Sequence, residues 1–241
     1  MLARIKTLFK EHAPSATSKI RLIKSYWTGR RWIGKGMNAF REIFETNTWN
    51  DEQSVSGSGS SLEATEKLRM RLPHLLETYN IRSILDAPCG DFHWMSTTPI
   101  GMRDYTGIDI VSRIVENAAR RYTAANRRFV CLDISEEQLP NADLIICRDC
   151  LVHFSFADVW RTLRNFARSG ATFLLTTTYP RHPFNVDCPT GHWRALNLEL
   201  PPFNFPPPLE TLGDDVDQIN VLTDKSLGFW TIESIKVASG E

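Results

Sequence analysis

Three apolar runs end in an aspartate: SILD (83–86) in Asp86, YTGIDI (105–110) with Asp109 one residue from its end, and RFVCLD (128–133) in Asp133. The first leads into the turn APCGDFHWM, where Gly90 stands alone between Asp86 and a second acid, Asp91. A single aspartate at a strand-to-helix corner is commonly just a helix cap. Three at successive strand ends argue for a shared ligand. Asp109 follows Gly90 by nineteen residues, near the ~20 expected of a ribose-binding acid. A dinucleotide pyrophosphate needs several glycines and a helix N-terminus, and Asp86 and Asp91 would repel it. The chemistry that fits is a nucleoside cofactor with a cationic amine or sulfonium and no phosphate. The missing glycine fingerprint excludes an NAD-dependent oxidoreductase.

S-adenosylmethionine (SAM) has that composition: its ammonium suits Asp86 and Asp91, its ribose Asp109, and its adenine amine Asp133. Methyl transfer from it is an in-line displacement, so positioning dominates, and a base is needed only for a weak nucleophile such as a hydroxyl. Candidate bases lie in YPRHPFNVDCPTGHWRALNL (179–198), namely His192, Asp187 and, more weakly, His182, with Trp193 as a stacking face and Arg194 as a hydrogen-bond fork for a sugar-like acceptor. His153, just after the fourth apolar run, reads as pocket lining and as a third catalytic candidate. Trp49 and the small-residue stretch SVSGSGSS (54–61), with Gly57 and Gly59, suit a lid that excludes water. Cys147 and Cys150 form a C-x-x-C with no second Cys/His pair at suitable spacing, so no metal site is expected.

The elements that must position these residues alternate. Strand-like runs at 83–86, 105–110, 128–133, 143–148 and 171–178 are separated by helical patterns at 111–125 and 155–168, after a first helix at 61–79 for which Ser60 and Glu63 have capping-box spacing. Such alternation means βαβ units and a parallel sheet. Residues 179–210 then hold eight of the thirteen prolines, which denies them regular hydrogen-bonded structure. The tail SLGFWTIESIKV (226–237) reads as a Gly-Phe-Trp corner leading into an alternating strand.

Lys plus Arg balance Asp plus Glu at 28 each over 241 residues, which gives no global argument for a nucleic-acid partner. The basic residues do gather at the start: residues 1–45 carry ten Lys/Arg against three acids. MLARIKTLFK could make weak peripheral contact with an anionic membrane, although docking on the chain's own domain is favoured. It lacks the continuous apolar stretch of a secretory signal. Five cysteines, an odd number with several in apolar runs, fit a reduced, cytoplasmic protein.

In LDAPCGD, TGIDI, FVCLDI and DLIICRDCLVHF the sequence resembles the class I SAM-dependent methyltransferases, over roughly residues 60–178 and more weakly 215–237. It departs from their glycine-rich loop at Pro88 and Phe92. The resemblance implies a doubly wound, Rossmann-like α/β fold whose seven-stranded sheet is mostly parallel with an antiparallel last strand. It also implies a cofactor-binding set of Asp86, Ala87, Pro88, Cys89, Gly90, Asp91, Asp109, Ile110, Asp133 and Ile134, with Arg148 beside the methyl donor. The expected organisation is a basic, aromatic helical segment and lid over 1–60, then a methyltransferase domain over 61–241 with a proline-rich acceptor-side insertion at 179–210. The expected activity is methyl transfer to a small polar acceptor, with a saccharide oxygen favoured over the nitrogen of another small molecule. A non-catalytic binding module on the same fold is a further alternative.

Overall fold

The computed structural model describes residues 36–49, 51–213 and 224–239. The basic stretch 1–35, with the membrane expectation attached to its first ten residues, lies outside the described residues. In chain order the elements are α1 (Asn38–Glu45), α2 (Glu66–Thr78), β1 (Ser83–Asp86), β2 (Asp104–Asp109), α3 (Ser112–Tyr122), β3 (Arg127–Cys131), β4 (Leu144–Cys147), α4 (Phe156–Arg168), β5 (Phe173–Thr178), β6 (Glu210–Gly213), β7 (Ser226–Thr231) and α5 (Ile232–Ser239).

The seven strands form one sheet in the order β3-β2-β1-β4-β5-β7-β6. β1 to β5 pair in parallel, and β7 runs antiparallel to both neighbours. Strand order reverses between β1 and β4, so the crevice at their carboxyl ends is where a doubly wound sheet binds ligands.

Both faces of the sheet are covered, which is why the central strands are apolar throughout instead of alternating with polar residues. Successive residues feed opposite cores, as the two-residue strand period requires. Leu85, Ile145 and Leu174 pack with Val159, Leu163 and Phe166 of α4 and with Ile232 and Ile235 of α5. Ile84, Ile146 and Leu175 face the other way, toward Leu68, Leu72, Leu75 and Leu76 of α2. Ser155 caps α4, its Oγ accepting from Asp158 N at 3.2 Å.

Two local expectations change. The helix read over 61–79 starts only at Glu66, with no side-chain cap, because Ser60 is drawn into a 3-10 turn with its N–H on Gly57 O at 2.9 Å. The tail is a strand and then a helix. Gly228, Phe229 and Trp230 lie inside β7, where a Cβ on Gly228 would meet the Trp230 ring at 2.1 Å, and α5 follows with Ile232 and Ile235 buried. The glycine leaves room for a tryptophan to lie along the strand, and apolar residues three apart then suit a helix.

The proline-rich segment 179–209 has no regular secondary structure, as expected, yet it is firmly packed. Leu196, Leu198, Phe203 and Phe205 join the α4-side core. Asparagines provide the hydrogen bonds that prolines cannot: Asn197 Nδ2 donates to Pro180 O (2.9 Å) and His182 O (3.1 Å), and Asn185 Nδ2 to Asn197 O (2.7 Å) and Pro201 O (2.9 Å).

Candidate active site

The carboxyl ends of the central strands open into a cleft of about 940 Å³, part of it open to solvent. Asp86, at the end of β1, is buried and accepts from Tyr105 Oη at 2.5 Å. Burial pushes its carboxyl up to about 7, against the Tyr105 hydrogen bond and the Arg148 charge, with Asp109 adding to the rise. Asp109 ends β2 and is also buried; burial raises it to about 6 although backbone N–H groups of Val111, Gly90 and Ile110 favour its charged form. Asp133 lies two residues beyond the end of β3, half-buried on the cleft wall, its Oδ1 accepting from Ser135 N (2.8 Å) and Oγ (2.7 Å).

Ile110, Val111, Leu132 and Ile134 give the Asp109–Asp133 end an apolar lining, and Pro88, Cys89 and Gly90 line the middle. Ala87 is fully buried below the loop. Burial pushes the Cys89 and Cys150 thiols well up, so they stay protonated. This donor set suits a ligand with an amine, vicinal hydroxyls and a flat heterocycle. Buried carboxylates with raised pKa values can pair with the first two groups, and the apolar walls can hold the third.

Residues 54–60 form a strap across the cleft mouth. Asp91, read from the sequence as a partner for the cofactor ammonium, does not line the cleft: its Oδ1 accepts from Ser54 Oγ (3.0 Å) and its Oδ2 from Val55 N (3.1 Å). Gly90 has φ +53°, and a Cβ there would stand 2.2 Å from Ser56 Oγ, so only glycine lets the strap lie on the loop. Gly57 (φ +89°) packs on Trp49, its absent Cβ 3.3 Å from Trp49 Cβ. Gly59 O accepts from Arg148 Nη2 at 2.7 Å, while the guanidinium lies 5.6 Å over Trp94. Met37, at the N-cap of α1, and Phe40 and Phe44 within it complete the wall.

At the end of β4, Asp149 also lines the cleft, with φ +51°. Lys225 Nζ stands 2.6 Å and Arg148 Nη1 3.2 Å from its Oδ2. Burial would raise this carboxyl, but the two cations bring it down to about 2.

The insertion residues are placed elsewhere. None of Asp187, His192, Trp193 and Arg194 lines the cleft. Asp187 Oδ1 accepts from Phe156 N (2.7 Å) and Cys188 N (2.9 Å), at the start of α4. Arg194 donates to the carbonyls of Leu151 (2.9 Å) and Phe154 (2.8 Å). Trp193 packs edge-on to Tyr179. His192 is buried, its Nε2 without a partner among the described residues, and its carbonyl oxygen lies 3.0 Å from His153 Nδ1. These groups hold the insertion against the turn after β4, because that turn has open carbonyl and N–H groups that the prolines cannot satisfy. His153 does not line the cleft either, but its ring stands 5.6 Å from Trp49, and burial lowers its pKa to about 4.

Asp149 could have been found in the sequence by the rule that found the other acids, since it too follows an apolar run. The α1 stripe could have been found from Met37, Phe40 and Phe44, which share a helical face. Nothing in the sequence signals Lys225.

Residues 84–170 match a family model described as a methyltransferase domain. No curated protein matches the chain. Among solved structures, the N-methyltransferase NodS from Bradyrhizobium japonicum WM9, in complex with S-adenosyl-L-homocysteine, is 12% identical, with a TM-score of 0.57 over 79% of this chain and 97% of that one. A SAM-dependent methyltransferase from Clostridium acetobutylicum ATCC 824 is also 12% identical, with a TM-score of 0.50 over 68% and 90%. At such identities these structures speak for the fold alone. The family match spans the loop and all the strand ends that line the cleft, on a sheet of the expected order, so residues 84–170 are a methyltransferase domain within a chain that has the class I methyltransferase fold.

Proposed function

We propose that the protein methylates a small polar molecule that enters beneath the strap, with residues 37–60 supplying lid and cleft wall to a catalytic domain over 61–241. The observation that carries this reading is the continuity of one cleft from Asp133 and Asp109 through Asp86 to Asp149, roofed by the strap. SAM supplies the electrophilic methyl group when bound. Asp86 would hold its ammonium and Asp109 its ribose hydroxyls. Asp133 would meet the adenine amine, between Ile110 and Ile134. Asp91 would serve the site indirectly, by tying Ser54 and Val55 down so that the strap excludes water.

The saccharide reading loses its support, because the Arg/His/Trp group that argued for it serves the insertion's own packing. His192 and Asp187 drop out as bases for the same reason. His153 is neutral at physiological pH, and its ring lies beside Trp49 of the lid.

Calorimetric titration with S-adenosylhomocysteine (SAH), with NADH as control, tests the assignment. SAH should bind and NADH should not, and Asp109→Ala should abolish SAH binding while the protein stays folded. A wild-type protein that ignores SAH would sink the cofactor assignment.

A further inference from the structure

The strand order sets four carboxylates in a row across the cleft: Asp133 beyond β3, Asp109 on β2, Asp86 on β1 and Asp149 beyond β4. The first three match the three polar parts of the cofactor, so the fourth stands at the end left for the acceptor. It is also the one most elaborately held. Its Oδ2 receives both Lys225 and Arg148, and the absent Cβ of Gly59 would stand 3.0 Å from that same oxygen. Among the described residues its Oδ1 has only a long contact, 3.4 Å, with Thr177 Oγ1. Its backbone N–H is fixed by Thr177 Oγ1 at 2.8 Å, and its left-handed φ is uncommon for a residue with a side chain. Such over-determined conformations gather where a side chain must be aimed. Two cations lock one oxygen and leave the other with lone pairs to spare.

We propose that Asp149 Oδ1 accepts a hydrogen bond from the nucleophilic group of the methyl acceptor, and that this group is an amine nitrogen; the proposal rests on the methyltransferase reading above. A neutral amine can donate one N–H to a carboxylate and still direct its lone pair at the methyl carbon. As the C–N bond forms, the C–S bond breaks with its electron pair going to sulfur. The nitrogen becomes cationic beside an ionised carboxylate, and its extra proton leaves afterwards to water. A hydroxyl would need its proton removed during attack. A carboxylate paired with two cations is a poor base for that, and among the described residues no histidine lines the cleft. Asp149 thus suits orientation and charge stabilisation, not proton abstraction.

The test compares SAH with sinefungin, its analogue in which an amine-bearing carbon replaces the sulfur, so that a cationic amine projects where the transferred methyl would be. A hydrogen bond to an ionised group contributes enough that the wild type should bind sinefungin roughly tenfold or more tightly than SAH. Asp149→Asn should erase that preference and leave SAH affinity unchanged. Because this variant leaves two cations facing a neutral amide, thermal unfolding is followed alongside, and Asp149→Asn with Lys225→Met, which removes one cation as well, should give the same loss of preference. No preference in the wild type, or one that survives both variants, overturns the proposal while the cofactor assignment stands. Binding of neither ligand by the wild type overturns both.

Discussion

Cofactor binding should release protons near neutrality. Asp86 is pushed up to about 7 by burial in the ligand-free protein, and it must be ionised to pair with the cofactor ammonium. At pH 6 about nine-tenths of the protein would carry a protonated Asp86, and each pH unit below 7 should weaken SAH about tenfold, equivalent to ~1.4 kcal/mol. Asp109, raised to about 6, should steepen the decline below that pH. The SAH ammonium stays protonated across this range, so the dependence belongs to the protein. Calorimetry at pH 6.5 in two buffers of different ionisation enthalpy counts the protons, and the expected release lies between about a half and one per ligand. Asp86→Asn should bind more weakly, with a flat profile between pH 6 and 8. Wild-type affinity that is level from pH 6 to 8 with no proton exchange would refute the idea that the ammonium meets Asp86. A variant as pH-dependent as the wild type would assign the release to another group.

The same raised pKa makes Asp86 a cost in the ligand-free protein. A carboxyl whose folded pKa lies above its unfolded value of 3.8 contributes stability below 3.8 that is lost as pH rises through about 7. Asp86→Asn should therefore raise the unfolding temperature at pH 8, by an amount equivalent to roughly 2–4 kcal/mol, and change it little at pH 4; equal effects at both would contradict the burial argument. Gly90→Ala should weaken SAH binding at least about tenfold, because φ +53° and a 2.2 Å clash with Ser56 Oγ both act against it. Adding Ser56→Gly removes the clash and leaves the backbone cost, so part of the affinity should return. If none returned, the strap would not rest on the loop in solution.

What could be read in advance divides along a physical line. Buried parallel strands announce themselves locally, since SILD and DLIICR are apolar on both faces, and the acids at their ends followed from the strand period and the switch-point rule. The strap did not announce itself as a partner of Asp91, because serine hydroxyls and glycine spacing are the same in a linker as in a hydrogen-bonded turn. His192 and Arg194 misled for the converse reason: polar side chains after the fifth strand suggest an acceptor pocket, yet a proline-rich segment needs polar side chains merely to satisfy the backbone it packs against. Lys225 meets Asp149 across 76 positions of sequence, a pairing made by the sheet alone.

The departure from a glycine-rich loop at Phe92 fits the same logic. Phe92 stands where a glycine is usual, and it keeps a glycine's backbone, with φ +61°. Its side chain is not spent on the cofactor. It turns into the core, almost fully buried, with ring centroids 5.0 Å from Tyr105 and Tyr122 and 5.2 Å from Phe129, and with Arg127 5.0 Å above it. A left-handed conformation costs a residue with a Cβ roughly 1–2 kcal/mol, whereas burying a phenylalanine contributes about 1.5–3 kcal/mol before any aromatic contacts are counted. The exchange is favourable so long as the ring has somewhere to go, and Tyr105 fills the same cluster while donating its hydroxyl to Asp86. The loop thus keeps a left-handed backbone at Phe92 and gains a rigid aromatic anchor beneath the carboxylate. Only Gly90, under Ser56, has no room for a side chain and remains glycine.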